Sequence, residues 1–292
     1  MKKRVLITGG SGFIGSALCK KLIERGYDVT TFDLVPSNLC GHVIVGDILD
    51  CLGVKRAIGQ TDYVFHLAGI SDPTQINANL KKAFEINLDG TSNVSRACSR
   101  YNVPLIFAST CCVYGNVKKH PSGEESPCNP CDLNGNFKLT SEKIVKEVPR
   151  FNILRYGTAY GKGMRKALAV RTFIERALEN KPLLIHGSGK QTRSLIYIDD
   201  LINANIEVLE REIFNETINI AGREELSVLK VADSILRETG SESKLKFVSD
   251  RLGQIMKEQI DISKAKRLLD WKPEIEFEEG LKKSVEWIKN ER

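Results

Sequence analysis

Short apolar segments alternate with amphipathic stretches along the first half of the chain. The run Val5–Ile7 has no polar alternation, which is typical of a central parallel strand covered on both faces. Apolar residues then recur at helical spacing from Phe13 to Leu22. The same reasoning predicts strands at 28–33, 42–47, 62–69, 104–110 and 151–156, and helices at about 80–101 and 133–146.

Strands and helices that alternate at this spacing indicate right-handed βαβ units. We therefore expect an α/β fold with a doubly wound parallel sheet. The pattern of the second half is less regular: it predicts helices near 167–180 and 227–238, strands at 183–186 and 217–221, a further strand and helix within 195–210, and a charged carboxyl-terminal helix.

This change of pattern predicts a smaller α/β substrate-binding domain on the carboxyl-terminal side. We expect the two domains to interleave along the chain. The first would comprise 1–157 and about 194–220, and the second about 158–193 and 221–292. There is no internal repeat or low-complexity linker, so the two should pack against each other.

A glycine-rich turn separates the first predicted strand from the first helix. Gly9, Gly12 and Gly15 are spaced by three, and Gly10 also completes a G-x-G-x-x-G pattern. In the Rossmann dinucleotide-binding turn, such glycines let the backbone approach a pyrophosphate at a helix amino end. The second strand ends at Asp33, where a carboxylate can accept hydrogen bonds from both ribose hydroxyls. The turn and this acid together predict NAD rather than NADP.

Composition narrows the choice of partners. The 292 residues are 41% apolar and carry a net charge of +6, with no apolar run long enough to span a membrane. Lys and Arg are scattered rather than gathered on one face, which argues against nucleic acid and favours small anionic molecules. We expect a cytoplasmic protein whose eight cysteines are reduced thiols.

An ordered set of motifs covers essentially the whole chain. Together they resemble the extended short-chain dehydrogenase/reductase family, in its nucleotide-sugar epimerase/dehydratase branch. The motifs are Gly9-x-x-Gly12-x-x-Gly15, Asp33, Asp47-Ile48, His66-Leu-Ala-Gly69, Asn87-x-x-Gly-Thr91, Ser109-Thr-Cys-Cys-Val-Tyr-Gly115, Arg155-Tyr-Gly-Thr-Ala-Tyr-Gly161, Gly187-x-Gly-x-Gln-x-Arg193, Arg251-x-Gly253, Asp261-x-Ser-Lys-Ala265 and Asp270-Trp-Lys-Pro273.

This resemblance implies a bound NAD, a nucleotide-diphosphate sugar in the cleft between domains, and a homodimer built through two helices of each Rossmann domain. It favours a UDP-hexose 4-epimerase that acts through a transient 4-keto sugar. The implied cofactor-binding residues are Gly9, Gly12, Phe13, Ile14, Gly15, Asp33, Asp47, Ile48, Leu67, Ala68, Gly69, Asn87 and Lys138. The implied substrate-binding residues are Thr110, Thr158, Arg193 and Arg251, with the two arginines on the diphosphate.

The catalytic positions that the resemblance implies are Thr110, Asn134 and Lys138. In the family, a tyrosine in a Tyr-x-x-x-Lys motif takes the proton of the sugar hydroxyl, and Asn134 stands in its place. An amide cannot act as a proton base near neutral pH, although it can hydrogen-bond to a hydroxyl. Three alternatives follow: a non-catalytic homologue that binds NAD and a nucleotide sugar, a dehydratase or reductase with another base, and an Asn134 that replaces a tyrosine of the natural chain.

A cysteine thiolate is one candidate for this other base. Cys111 and Cys112 occupy the positions where hexose 4,6-dehydratases of the branch have Asp and Glu, and a thiolate could accept a proton. Packed, neutral thiols are the favoured interpretation. The single C-x-x-C of Cys128 and Cys131 does not predict a zinc site, because structural zinc needs four ligands and only a loop folded back to Cys111 and Cys112 would supply them.

Two further candidates have simpler explanations. Tyr114 and Lys118 form a second Tyr-x-x-x-Lys, which we interpret as part of a turn after the fifth strand. His66 lies within an apolar strand, which favours a hydrogen-bonded core histidine over a catalytic one.

Overall fold

The computed structural model describes residues 2–36, 41–251 and 253–291. A seven-stranded sheet forms its centre, with strand order β10-β6-β5-β4-β1-β2-β3 and every neighbouring pair parallel. The expected doubly wound parallel sheet is confirmed. Its strands are β1 (Arg4–Thr8), β2 (Asp28–Asp33), β3 (His42–Val45), β4 (Tyr63–His66), β5 (Leu105–Thr110), β6 (Phe151–Tyr156) and β10 (Glu216–Ile220).

Two smaller sheets lie on the carboxyl-terminal side. One has the order β11-β9-β7, and the other pairs β12 with β8. Our division into two interleaved domains stays a prediction. The strands are β7 (Thr158–Tyr160), β8 (Leu183–His186), β9 (Thr192–Tyr197), β11 (Glu225–Ser227) and β12 (Leu245–Val248).

Helices connect and cover these strands. None in the described part of the chain is both long and apolar enough to cross a membrane. They are α1 (Phe13–Glu24), α2 (Cys51–Ile58), α3 (Pro73–Ala78), α4 (Leu80–Phe84), α5 (Gly90–Tyr101), α6 (Leu133–Val145), α7 (Ala169–Leu178), α8 (Ile198–Glu210), α9 (Val228–Thr239), α10 (Ser263–Leu269) and α11 (Phe277–Glu291).

The predicted helix at 80–101 differs in one respect. A π-helical turn at Glu85–Asp89 separates α4 from α5. The main apolar core is continuous between the large sheet and the smaller ones, since Ile7 and Leu18 belong to the same buried cluster as Tyr160 and Leu281. The strands β1, β2, β4 and β5 are therefore packed in a continuous core, and this packing holds the loops that follow their carboxyl ends.

Candidate active site

The glycine turn forms a narrow cradle between β1 and α1. A Cβ atom on Gly15 would lie 2.1 Å from the carbonyl oxygen of Gly9, and one on Gly9 would lie 2.6 Å from the amide nitrogen of Ala68. Gly9 also has a φ of 75°, which favours glycine. Helix α1 begins after Gly12 without a side-chain cap. Close backbone packing at an uncapped helix start suits a pyrophosphate, so these residues fit NAD.

Asp33 lies at the end of β2, beside this turn. Its Oδ2 atom accepts a hydrogen bond from the Ser11 amide at 3.0 Å, and its Oδ1 atom accepts one from the Val35 amide at 3.3 Å. These bonds orient the carboxylate and leave lone pairs for the ribose hydroxyls. The contact of Asp33 with the ribose stays a prediction.

The predicted adenine contacts, Asp47 and Ile48, follow β3 in a tight turn. Asp47 accepts a hydrogen bond from the Leu49 amide at 2.9 Å, and Asn93 on α5 donates to the Ile48 carbonyl at 3.0 Å. The Ile48 side chain is buried. This turn is thus held by α5, and its contact with adenine stays a prediction.

The loop after β4 contains Leu67, Ala68 and Gly69. Asn87, in the π-helical turn, holds it: its Oδ1 atom accepts from the Ile70 amide at 3.2 Å, and its Nδ2 atom donates to the carbonyls of Ile70 at 3.0 Å and Ala83 at 2.9 Å. Both amide hydrogens are therefore used within the protein. Asn87 positions the cofactor-side loop, a role that the sequence did not reveal; direct contact with NAD stays a prediction.

Thr110, Asn134 and Lys138 lie where β5 ends and α6 passes over it. Thr110 accepts a hydrogen bond from the Cys112 amide at 3.2 Å. Asn134 and Lys138 are one helical turn apart on α6, a spacing that places them on the same face. The buried Oδ1 atom of Asn134 has no hydrogen-bond partner among the described residues. The Oδ1 atom is enclosed by protein, so a contact of Asn134 with a sugar hydroxyl stays a prediction.

The amine of Lys138 is held against the sheet. Its Nζ atom donates to the Ala108 carbonyl at 2.7 Å and lies 4.7 Å from the centre of the Phe107 ring. Burial lowers the pKa of Lys138 to about 8. This lysine can therefore exchange a proton near neutral pH.

The thiols of Cys111 and Cys112 do not exchange a proton near neutral pH. Burial and the nearby Glu258 raise the pKa of Cys112 to about 12, and the same causes raise the pKa of Cys111 well above its usual value. The Cys111 thiol donates to the Arg155 carbonyl at 3.3 Å. The geometry supports neutral, packed thiols and gives a thiolate base no support.

The second Tyr-x-x-x-Lys is not an acid–base pair. The Tyr114 phenol is buried, donates to Asn219 Oδ1 at 2.7 Å and accepts from Arg155 Nη1 at 3.0 Å. Burial raises the pKa of Tyr114, so the phenol stays protonated. The interpretation of this motif as a structural turn is confirmed.

His66 is a core histidine, as expected. Its Nδ1 atom lies 2.7 Å from Thr8 Oγ1, and its Nε2 atom lies 3.0 Å from Thr91 Oγ1. Burial, with a smaller contribution from the Lys138 charge, lowers the pKa of His66 to about 3. The ring is neutral and fully engaged.

A buried ion pair connects two of the elements that carry the site, and we did not predict it from the sequence. Arg155 on β6 binds Glu142 on α6 through two contacts, Nη2 to Oε2 at 2.7 Å and Nε to Oε1 at 3.0 Å. Ser109 on β5 also donates to Glu142 Oε1 at 2.5 Å. A charge next to the apolar Ile153 and Leu154 in β6 was the available signal. The pair joins α6 to β6, and the Ser109 bond joins α6 to the end of β5, so the two contacts hold α6 relative to Thr110.

Arg193 and Arg251, the predicted diphosphate contacts, do not form a single cluster in the described part of the chain. Arg193 on β9 donates through Nη1 to the carbonyls of Thr192 at 2.6 Å and Ile255 at 2.8 Å, whereas Arg251 is exposed. Thr158 on β7 lies beside β9 in the small sheet. No contact among the described residues joins the two arginines, so the diphosphate clamp stays a prediction.

The described ranges contain no cluster of three or more His, Cys, Asp or Glu side chains that could hold a metal ion. Cys131 instead accepts a hydrogen bond from Asn116 Nδ2 at 3.4 Å. Cys128 packs at the edge of the small buried cluster that contains Cys111 and Tyr114. The four cysteines therefore give no support to a metal site.

The fold and this site define a dinucleotide-dependent enzyme of the extended short-chain dehydrogenase/reductase type. The model of the NAD dependent epimerase/dehydratase family matches residues 5–221, and the chain belongs to this family. The resemblance and the NAD cofactor are thus confirmed.

Relatives extend over the whole chain. The UDP-N-acetyl-alpha-D-glucosaminuronate decarboxylase of Bacillus cytotoxicus is 31% identical, over 99% of this chain and 98% of its own. The UDP-glucose 4-epimerase of Thermotoga maritima, solved with UDP-glucose, is 30% identical with a TM-score of 0.92, over 99% of each chain. The UDP-glucuronic acid 4-epimerase of Bacillus cereus, solved with UDP-glucuronic acid and NAD, is 30% identical with a TM-score of 0.92, over 99% of this chain and 100% of that one.

Proposed function

We propose that this protein binds NAD and a UDP-hexose and acts as a UDP-hexose 4-epimerase through a transient 4-keto sugar. The observation that carries the proposal is the Lys138 amine, which binds β5 two residues before Thr110 and lies 3.8 Å from the Cβ position of Gly69. Similar chains solved with UDP-glucose or UDP-glucuronic acid support the class of substrate.

Each side chain has a role that follows from its chemistry. NAD, when bound, supplies the hydride acceptor and donor for the sugar carbon. Thr110 and the unpaired Asn134 oxygen bind the reacting hydroxyl and orient it. Lys138 Nζ takes the hydroxyl proton, because it is the group on this face whose pKa lies close to neutral. The amide can orient the hydroxyl but not deprotonate it, so turnover should be slow.

Restoring a phenol tests this proposal. The protein and its Asn134→Tyr variant are incubated with NAD and UDP-glucose, and UDP-galactose is measured over time. General base catalysis contributes about 10²- to 10⁴-fold, so we expect the variant to be faster by a factor within that range. Asn134→Phe is the matched control, since it adds the ring without the hydroxyl, and it should show no gain.

Failure of both Asn134→Tyr and the unaltered protein, with both still binding UDP-glucose, would contradict the 4-epimerase assignment. Failure to bind UDP-glucose or UDP would contradict the substrate class. Equal rates in both proteins would show that the phenol position does not limit the reaction.

A second candidate is a non-catalytic homologue that binds NAD and a nucleotide sugar. The observation that favours it is Asn134 itself, because an intact cradle is combined with an amide at the base position. Tight binding of both ligands without change of the sugar or reduction of the bound NAD would distinguish this candidate from a slow epimerase.

We also propose a homodimer through two helices, α4 and α6. The side chains of Leu80, Phe84 and Leu133 are 51%, 49% and 40% exposed on these helices. The Phe84 ring packs edge-on against the Phe137 ring, with 6.4 Å between the ring centres. Light scattering should give twice the chain mass, and Phe84→Glu should shift it toward the monomer. A monomer at micromolar concentration in the unaltered protein would contradict the proposal.

A further inference from the structure

Residues 253–258, which we call the strap, connect β9 to the loop between β5 and α6. The Thr192 amide donates to the Met256 carbonyl at 3.0 Å, and the Ser194 amide donates to the Glu258 carboxylate at 3.0 Å. The Glu258 amide in turn donates to Thr192 Oγ1 at 3.1 Å. β9 therefore holds the strap through backbone and side-chain hydrogen bonds.

Asn116, in the loop between β5 and α6, holds the strap from its own element. Its Oδ1 atom accepts a hydrogen bond from the Met256 amide at 2.7 Å, and its Nδ2 atom donates to the Gln254 carbonyl at 3.1 Å. In a parallel pair of strands, one residue bonds in the same way to the groups on either side of its partner. The side-chain amide therefore takes the place of a neighbouring strand, and it joins residues that are 140 positions apart in the sequence.

Ile255 lies between the two residues that Asn116 binds, and it contacts Arg193. The Ile255 carbonyl accepts a hydrogen bond from Arg193 Nη1 at 2.8 Å, and the same nitrogen donates to the Thr192 carbonyl at 2.6 Å. These bonds fix the Nη1 side of the guanidinium. Within the described ranges, Arg193 Nε and Nη2 have no hydrogen-bond partner. This free edge can bind two oxygens of a phosphate group in parallel.

The direction of the free edge depends on where the loop holds the strap. A movement of the strap would displace the Ile255 carbonyl and the guanidinium bonded to it. The loop also meets the strap at Gly253, where a Cβ atom would lie 2.6 Å from the Cys131 carbonyl oxygen and the φ angle is 70°. Arg251, the other predicted diphosphate contact, lies two residues before Gly253. Asn116 thus anchors the segment that connects the two predicted diphosphate arginines.

We propose that Asn116 is a positioning residue for the nucleoside-diphosphate part of the substrate. It holds the Ile255 carbonyl, and this carbonyl orients Arg193 so that the Nε and Nη2 edge meets the phosphate oxygens. This inference rests on the proposed function, in which Arg193 binds the diphosphate of a UDP-sugar. Asn116 acts through Arg193 rather than by contact with the substrate, so it should change the affinity for UDP.

A double-mutant cycle with Asn116→Ala and Arg193→Gln tests the inference, with calorimetric titration of UDP into the NAD-loaded protein as the measurement. Arg193→Gln removes charge-assisted hydrogen bonds to phosphate and should weaken UDP binding about 10- to 100-fold. Asn116→Ala removes two uncharged hydrogen bonds and should weaken it about 3- to 10-fold. The double variant should be within about twofold of Arg193→Gln, because Asn116 then has no arginine to position.

Control variants separate positioning from a general loss of structure. Asn290→Ala makes the same substitution at an exposed residue of α11 and should change UDP affinity by less than about twofold. Asn116→Ser retains a hydroxyl that can form one of the two bonds, so it should restore part of the affinity. NAD affinity should stay within about twofold in every variant, because the glycine cradle is unaltered in each.

The outcomes distinguish this inference from the proposed function. Additive losses, with the double variant weaker than Arg193→Gln by the full factor of Asn116→Ala, would overturn the inference. Unchanged UDP affinity in Asn116→Ala, together with a loss in Arg193→Gln, would overturn it and leave the proposed UDP-sugar site intact. Unchanged affinity in Arg193→Gln would overturn it too, because Asn116 could not act through that arginine. If the unaltered protein did not bind UDP, the proposed function would fail, and this inference with it.

Discussion

The cofactor side and the sugar side of the cleft differ in how closely their residues match the motifs of the family. On the cofactor side, the glycine cradle is close-packed and Asp33 is oriented by two backbone amides. On the sugar side, Asn134 lies at the position where the resemblance implies a phenol, and the Cys111 and Cys112 thiols are neutral. The predicted dinucleotide contacts and the groups that we assign to proton transfer differ, except for Lys138, which is predicted to serve both. Asp33 and Asn134 can therefore be perturbed independently.

The largest expected effect comes from breaking the ion pair between Arg155 and Glu142, which holds α6 on the sugar side. Glu142→Gln removes the charge that compensates Arg155, and both side chains are at most 5% exposed. Because breaking a buried pair leaves an uncompensated charge, we expect a loss of about 3–5 kcal/mol in the free energy of unfolding. Urea unfolding measures it.

Glu147→Gln, an exposed change just beyond the end of α6, is the control and should stay within about 0.5 kcal/mol. If the two variants unfolded at the same urea concentration, the ion pair would not support the site, and the arrangement of Asn134 and Lys138 would need another cause.

The next effect concerns the cofactor side alone. Asp33→Asn removes the charge and one acceptor at the end of β2, so NAD affinity should fall by about 10- to 100-fold. Asp28→Asn, at the start of the same strand, is the control. Fluorescence or calorimetric titration with NAD gives the affinities. Equal affinity in Asp33→Asn and the unaltered protein would remove the ribose assignment.

Local patterns were sufficient to predict the sheet and the glycine turn. The run Val5–Ile7 and the apolar spacing of α1 are properties of neighbouring residues, and the turn between them has one workable geometry. The position of Asp33 follows, because parallel strands end at the same edge.

The rest depends on contacts between distant residues. Arg155 and Glu142 are 13 positions apart, but their pairing requires β6 and α6 to be packed before either charge has a partner. The Arg165 contact with Ser71 joins two loops that are 94 positions apart in the sequence. The π-helical turn at Asn87 likewise arises from hydrogen bonds to the loop after β4, which no helical periodicity encodes.

The last effect is the pH dependence of turnover, and it sharpens the contrast between the two sides. The acceptor we assign is the neutral amine of Lys138, whose pKa burial lowers to about 8. Below that pH the ammonium form dominates, so the rate should fall about tenfold for each pH unit from 8 to 6 and level off above 8. NAD affinity should change much less over the same range, because Lys138 is only one of its predicted contacts beside Asp33 and the backbone. Lys138→Arg keeps the charge but cannot deprotonate, so it should abolish the rise. A rate independent of pH between 6 and 8 in the unaltered protein would exclude Lys138 as the acceptor. A rise that survives in Lys138→Arg would assign the proton to another group.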